Sequence, residues 1–154
     1  MKHEYFGKLK KSKRLPGAYE TSFQYGGTKI PLTIDPDDKT IEETLLFAVS
    51  VAESLETMEN EIKAVATRNL LNIYNDNWRE YQTVMPDGSY KNVTDPELST
   101  SEFESKLSIE SINVTGNNWV EYWFAETGLF AGHSVFVQSL NGLDLSDARA
   151  EMFG

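Results

Sequence analysis

Between Tyr19 and Asn77 the spacing of apolar residues switches once, from two to about 3.6, and that switch constrains the fold more than any other feature. Tyr19, Thr21, Phe23 and Tyr25 alternate with Glu20, Ser22 and Gln24 before Gly26-Gly27. Ile30, Leu32 and Ile34 then alternate with Lys29, Pro31 and Thr33. This pattern predicts a β-hairpin with a glycine turn, one face inward and one toward water. Pro31 lacks a ladder donor, which puts the second strand at an edge or leaves its donor side unpaired. Ile41, Leu45, Ala48, Ala52, Leu55, Ile62, Ala66 and Ile73 follow at helical spacing. Thr40 and Glu43 make a capping-box pattern, and Asp37 and Asp38 suit the positive end of the helix dipole. Glu59 interrupts the apolar stripe. One bent helix and two helices joined by a turn near residues 53–58 both fit, and two is the expected arrangement.

Beyond the helical stretch, Pro86-Asp87-Gly88 marks a tight reversal, and Leu98-Ser99 with Glu102-Phe103 predicts a short capped helix with a hydrophobic staple. "SIESINVTGNNWVEYWFAE" reads as strands turning at Thr115–Asn118, and "GHSVFVQSL" with "DARAEMFG" adds more, with Asn141-Gly142 as a further turn. Strands, helices and strands again imply an α+β fold: a mostly antiparallel β-sheet with two to three helices packed on one face, in one domain over residues 1–154. A chain of this length buries roughly 68–70% of its unfolded surface, so a hydrophobic core needs no staples.

Charge and residue usage narrow the functional classes. The net charge is −10, but residues 1–14 hold six basic side chains against Glu4, or +5, which leaves −15 on the remaining 140. An acidic body repels a phosphate backbone and attracts a cationic protein, so a protein partner is expected and nucleic acid is not. The Lys8–Arg14 cluster reads as a solvated hairpin tip or as a contact for phosphate or anionic lipid. Cysteine is absent, which excludes disulfides and thiolate sites. No apolar run is long enough to cross a bilayer and no signal peptide is evident, so the expected location is the cytoplasm, with no membrane partner.

The chemistry-bearing patterns are few. "GLFAGHSVFV" looks at first like a phosphate loop, yet only three residues separate Gly128 from Gly132, His133 stands where lysine belongs, and the chain continues as a strand. His133 and Ser134 point to opposite strand faces and cannot activate each other. His133 remains a candidate general base, or a half-buried strand histidine bonded to a backbone group. Two histidines without His-x-x-x-His spacing, and "DPDD" without the glycine and distal glutamate of a calcium loop, give no metal site, and no cofactor is implied. In "WVEYWF", Trp119, Glu121 and Trp123 share one strand face. If open, that face is an anchor for a cationic partner; if the helices cover it, it is core, the expectation for most of it. Glu53, Glu56 and Glu59 form a second acidic candidate, or else a solvated helix face.

The order of "FQYGGTKIPLTID", "AVATRNLLNIYNDNW", "LSTSEFESKL" and "INVTGNNWVEYWFAETGLFAGHSVFVQSLNG" resembles an uncharacterised prokaryotic family catalogued as domain of unknown function 2262. The resemblance covers most of the chain, apart from Tyr81 to Pro96, which looks like an insertion, and the Lys8–Arg14 stretch. It implies the fold and a bacterial source and carries over no catalytic residues. The expected role is a non-catalytic acidic binding protein of the immunity type that neutralises a basic bacterial toxin through Glu53, Glu56, Glu59, Trp119, Glu121 and Trp123. The alternatives are an enzyme or small-ligand binder with a pocket near His133, Glu121 and Trp123, and an accessory domain acting through an edge strand at Pro31.

Overall fold

The computed structural model describes residues 1–154. Three two-residue strands open the chain: β1 (Lys2–His3), β2 (Gly7–Lys8) and β3 (Lys10–Lys11). β1 and β2 pair with each other, while β3 pairs antiparallel with β4 (Tyr19–Tyr25). β4 turns into β5 (Thr28–Asp35) through Gly26 and Gly27, both with positive φ, the backbone that a two-residue hairpin turn requires at both centres.

A single helix, α1 (Ile41–Asn77), follows. It is continuous through residues 53–58, so the expected break into two helices does not occur. The physical reason is local: the 37 residues contain no Gly or Pro, and Glu59 is accommodated rather than expelled. Glu59 accepts a hydrogen bond from the Tyr25 hydroxyl and pairs with Lys63 at 3.4 Å. The predicted Thr40–Glu43 capping box is formed at its start. At its end Arg79 Nε donates to the Asn75 carbonyl at 2.7 Å, satisfying an acceptor that the helix itself leaves open.

An exposed hairpin of β6 (Glu80–Val84) and β7 (Tyr90–Thr94) leaves the helix end. The short helix α2 (Thr100–Ser105) starts with the Ser99–Glu102 capping box and is fastened to α1 where Asn75 exchanges two hydrogen bonds with the backbone of Leu98. Four strands complete the chain: β8 (Ile109–Thr115), β9 (Val120–Phe124), β10 (Ser134–Ser139) and β11 (Arg149–Phe153).

The main sheet has the order β11-β10-β9-β8-β5-β4-β3 and is antiparallel except where β5 meets β8. Parallel neighbours need a long crossover, and the segment containing α1 supplies it. β5 is therefore an interior strand, which corrects the edge position, while the other expectation, an unpaired donor side at Pro31, agrees with the ladder. Pairing with β8 begins at Leu32, so Pro31 lies outside that ladder. An accessory role through an edge strand at Pro31 has no such edge to use.

Strand parity divides the sheet. Ile30, Leu32, Ile34, Ile112, Val114, Tyr122 and Val137 point to the side where Leu45, Val51, Leu55, Ile62 and Leu70 of α1 and Phe103 of α2 complete the core. The opposite face carries no helix. Neither helix is long and apolar enough to cross a membrane.

Candidate functional site

The uncovered face bears a polar row that crosses all seven strands. Lys10, Glu20, Thr33, Asn113, Glu121, Gln138 and Arg149 are successive register partners from β3 to β11. Above this row lies a cavity of about 510 Å³, walled on one side by Trp119 and Trp123 and on the other by Ser12, Arg14 and Leu15. The aromatic strand face expected mostly as core is thus the open one. Its partner face, with Val120, Tyr122 and Phe124, is buried under the helices. Both helices lie on one side of the sheet, and the odd-numbered residues of β9 point to the other.

Glu121 is the best-defended carboxylate of the cavity. Its Oε2 accepts from Asn113 Nδ2 and from Trp123 Nε1, each at 3.0 Å, and its Oε1 accepts from Gln138 Nε2 at 3.3 Å. Every donor is neutral. The ion pairs of the protein are Lys63–Glu59 and Arg79–Glu97, so neither Glu121 nor Arg14 is neutralised by a side chain. Trp123 is fixed in turn by stacking on Phe136 at 4.4 Å between ring centroids, with Phe153 against its edge. Phe136 is only 8% exposed although no helix covers it, because these rings do. Trp119 is 44% exposed and lies against no other aromatic ring. Across the cavity Glu20 accepts from Ser12 Oγ at 2.6 Å, and the same hydroxyl accepts from the backbone of Arg14 and Leu15 at 3.1 Å. That hydroxyl-centred turn folds the end of the basic stretch against the cavity.

The other candidates lie elsewhere. His133 Nδ1 is 2.7 Å from the Phe130 carbonyl, which makes the ring nitrogen the donor, and the imidazole meets the edge of Trp78. Glu121 pairs with Gln138, five positions along β10 from His133, which is roughly 16 Å and the opposite face. His133, Glu121 and Trp123 therefore do not line one pocket. Glu53 and Glu56 are exposed on α1, Glu59 is half-buried beside Tyr25, and all three sit on the helix side of the sheet. The six proposed partner-binding residues form two surfaces, not one. No group of three or more metal-ligating side chains is assembled.

Asn113, Gln138, Glu20 and Ser12 escaped sequence reasoning as site residues, and Arg14 entered it only as the end of the Lys8–Arg14 cluster. Alternation places Asn113 and Gln138 on the polar faces of their strands, but only the register sets them beside Glu121.

Fold and site together define an α+β protein with an open, carboxylate-centred cavity on the uncovered face of its sheet. A family model for an uncharacterised protein conserved in bacteria, DUF2262, matches residues 3–149, and the chain belongs to that family. No curated protein and no solved structure matches the chain at a significant level.

Proposed function

We propose that this chain is a non-catalytic binding protein that takes a cationic group of a protein partner into the cavity around Glu121. The observation that carries the reading is the Glu121 carboxylate, oriented by three neutral donors, placed between two tryptophans and paired with no cation. Carboxylate and indole together attract a cation, and a water-shielded aromatic anchor concentrates binding energy. The −15 carried by residues 15–154 accelerates encounter with a basic partner. The biological form we infer is an immunity-type role in the bacterial cytoplasm, in which a basic toxin is neutralised by covering its cationic surface.

Calorimetry against a short polylysine separates a site from general attraction. Glu121→Gln removes one of 24 acidic residues, so diffuse attraction would barely change. Loss of at least about tenfold in affinity, in a variant still folded at the titration temperature, is expected of a site, about the worth of a partly desolvated charge contact. Equal affinity in the variant overturns the reading. Growth rescue on co-expression with the product of the adjacent gene tests the toxin assignment separately.

A further inference from the structure

We propose that the cavity selects an alkylammonium over a guanidinium, so that the group it takes from a protein partner is a lysine side chain. This rests on the reading of Glu121 as a cation site.

The argument is one of hydrogen-bond capacity. A carboxylate offers about four acceptor positions, two on each oxygen. In Glu121, Oε2 already accepts two bonds, from Asn113 and Trp123, and Oε1 accepts one, from Gln138. One position is left. An arginine binds a carboxylate best through two parallel N–H···O bonds, one to each oxygen. Here that fork must displace Asn113 or Trp123 from Oε2 and leave a half-buried donor without a partner, a loss that cancels much of the gain. An ammonium is a compact point charge. It needs negative charge, one acceptor and a π surface, and it makes no demand for a fork.

The walls suit such a head. Trp119 offers a ring free of aromatic partners, and Trp123 is held against Phe136, so the Trp123 indole needs no ordering on binding. A four-carbon stem lies well along indole surface, as lysine stems do on apolar ground. At the far wall Arg14 repels a cation. Glu20 there accepts a bond from Ser12 and Asp35 is a third carboxylate of the cavity, but only Glu121 has a tryptophan two residues to either side on its strand face, which favours the charge at that end.

The test follows the indole N–H resonances of Trp119 and Trp123 in the full-length protein during titration with the blocked peptides Gly-Lys-Gly and Gly-Arg-Gly and with butylammonium. The lysine peptide is expected to shift both signals saturably and to bind at least about fivefold more tightly than the arginine peptide, the cost of one donor left unpaired. Asn113→Ala, which frees a position on Oε2, is expected to erase the preference by strengthening arginine binding relative to lysine binding, whatever it does to both together. Equal or tighter arginine binding in the native protein overturns the selectivity while leaving a cation site intact. Failure of all three probes to shift either indole overturns the cation site itself. Butylammonium binding more tightly than the lysine peptide overturns the protein partner in favour of a free amine.

Discussion

Asn69, on the helix, accepts a hydrogen bond at 2.8 Å from the backbone N–H of Ala150, on the edge strand β11, across 81 residues of chain. The side-chain amide stands where a further strand would pair, so the sheet ends against its own helix at this point and offers one donor fewer to another chain. Replacing Asn69 by Ala leaves the Ala150 N–H without its acceptor and is expected to lower stability by about 1–2 kcal/mol. Asn69→Asp retains an acceptor and should recover most of that loss. Urea denaturation of both variants, with amide exchange at Ala150 as the local readout, checks this; unchanged exchange in Asn69→Ala would show that the contact holds nothing.

Gly116 fixes the turn that delivers β9 to the cavity. A Cβ there would stand 2.0 Å from the Pro36 carbonyl oxygen and 2.8 Å from Lys39 Cβ, and the Gly116 N–H donates to the Asp35 carbonyl at 2.8 Å. The first neighbour is backbone and cannot rotate away. Gly116→Ala is therefore expected to cost about 2–3 kcal/mol, at the upper end of overpacking effects. A thermal melt decides it: a variant as stable as the parent would mean that the turn and the 36–39 loop part freely.

Local patterns were legible where one stretch of chain contains both partners. The Gly26-Gly27 hairpin and the Thr40–Glu43 and Ser99–Glu102 capping boxes are written in adjacent residues, and each forms as spaced. The continuity of α1 was not, because Glu59 looks like a break until Tyr25, brought from the hairpin, supplies its hydrogen bond. The open face was hidden for a related reason. Alternation in "WVEYWF" separates Trp119, Glu121 and Trp123 from Val120, Tyr122 and Phe124, yet two aromatic-rich faces look alike until one knows which receives the helices. The cavity needed still more: Asn113 and Gln138 reach Glu121 only through strand register, which no single segment encodes.

Three tyrosines, Tyr122, Tyr25 and Tyr74, ionise above the usual tyrosine range and contribute to the alkaline limit. Tyr122 is buried with its hydroxyl unpartnered, and burial pushes its ionisation well above the usual tyrosine range. Tyr25 is pushed up to about 12, first by burial and then by its bond to Glu59. Both folded values exceed the unfolded value of 10.0, so the stability they contribute is complete below pH 10 and is lost as pH rises through the folded values. Tyr122→Phe should flatten that alkaline decline. At neutral pH it removes an unsatisfied hydroxyl and is expected to leave stability equal or raise it by about 1 kcal/mol. Destabilisation beyond about 1 kcal/mol would instead place a bridging water on that hydroxyl.

The helix caps contribute to the acid limit, as do Asp87 and Asp144 in their turns. Glu43 is held below the usual glutamate range by the backbone and side chain of Thr40, and Glu102 likewise by Ser99. Lowered folded values give stability that is full above the unfolded value of 4.5 and is lost as pH falls through the folded values. Glu43→Gln with Glu102→Gln keeps an acceptor at each cap but removes the titration. Melting curves from about pH 6 to about pH 3 should show a shallower acid decline in the double variant than in the parent. Parallel declines would assign the acid sensitivity to other carboxylates.

The cavity itself should be a weak point of the fold, because Glu121 keeps a half-buried charge that no cation balances. Gln at this position preserves one oxygen acceptor, though its own amide must then find room beside the donors of Asn113, Trp123 and Gln138. Ala removes the acceptor altogether and strands all three donors. Glu121→Ala is therefore expected to lower stability by about 1–3 kcal/mol, and Glu121→Gln by distinctly less, with denaturation measured at low and at high salt. High salt screens the repulsion from the net negative charge, which penalises Glu121 more than Gln, and should widen the gap between the parent and Glu121→Gln. If Glu121→Ala were more stable than the parent at both salt concentrations, the three donors would be serving the bound state alone, and the site would be held ready at a direct cost to folding.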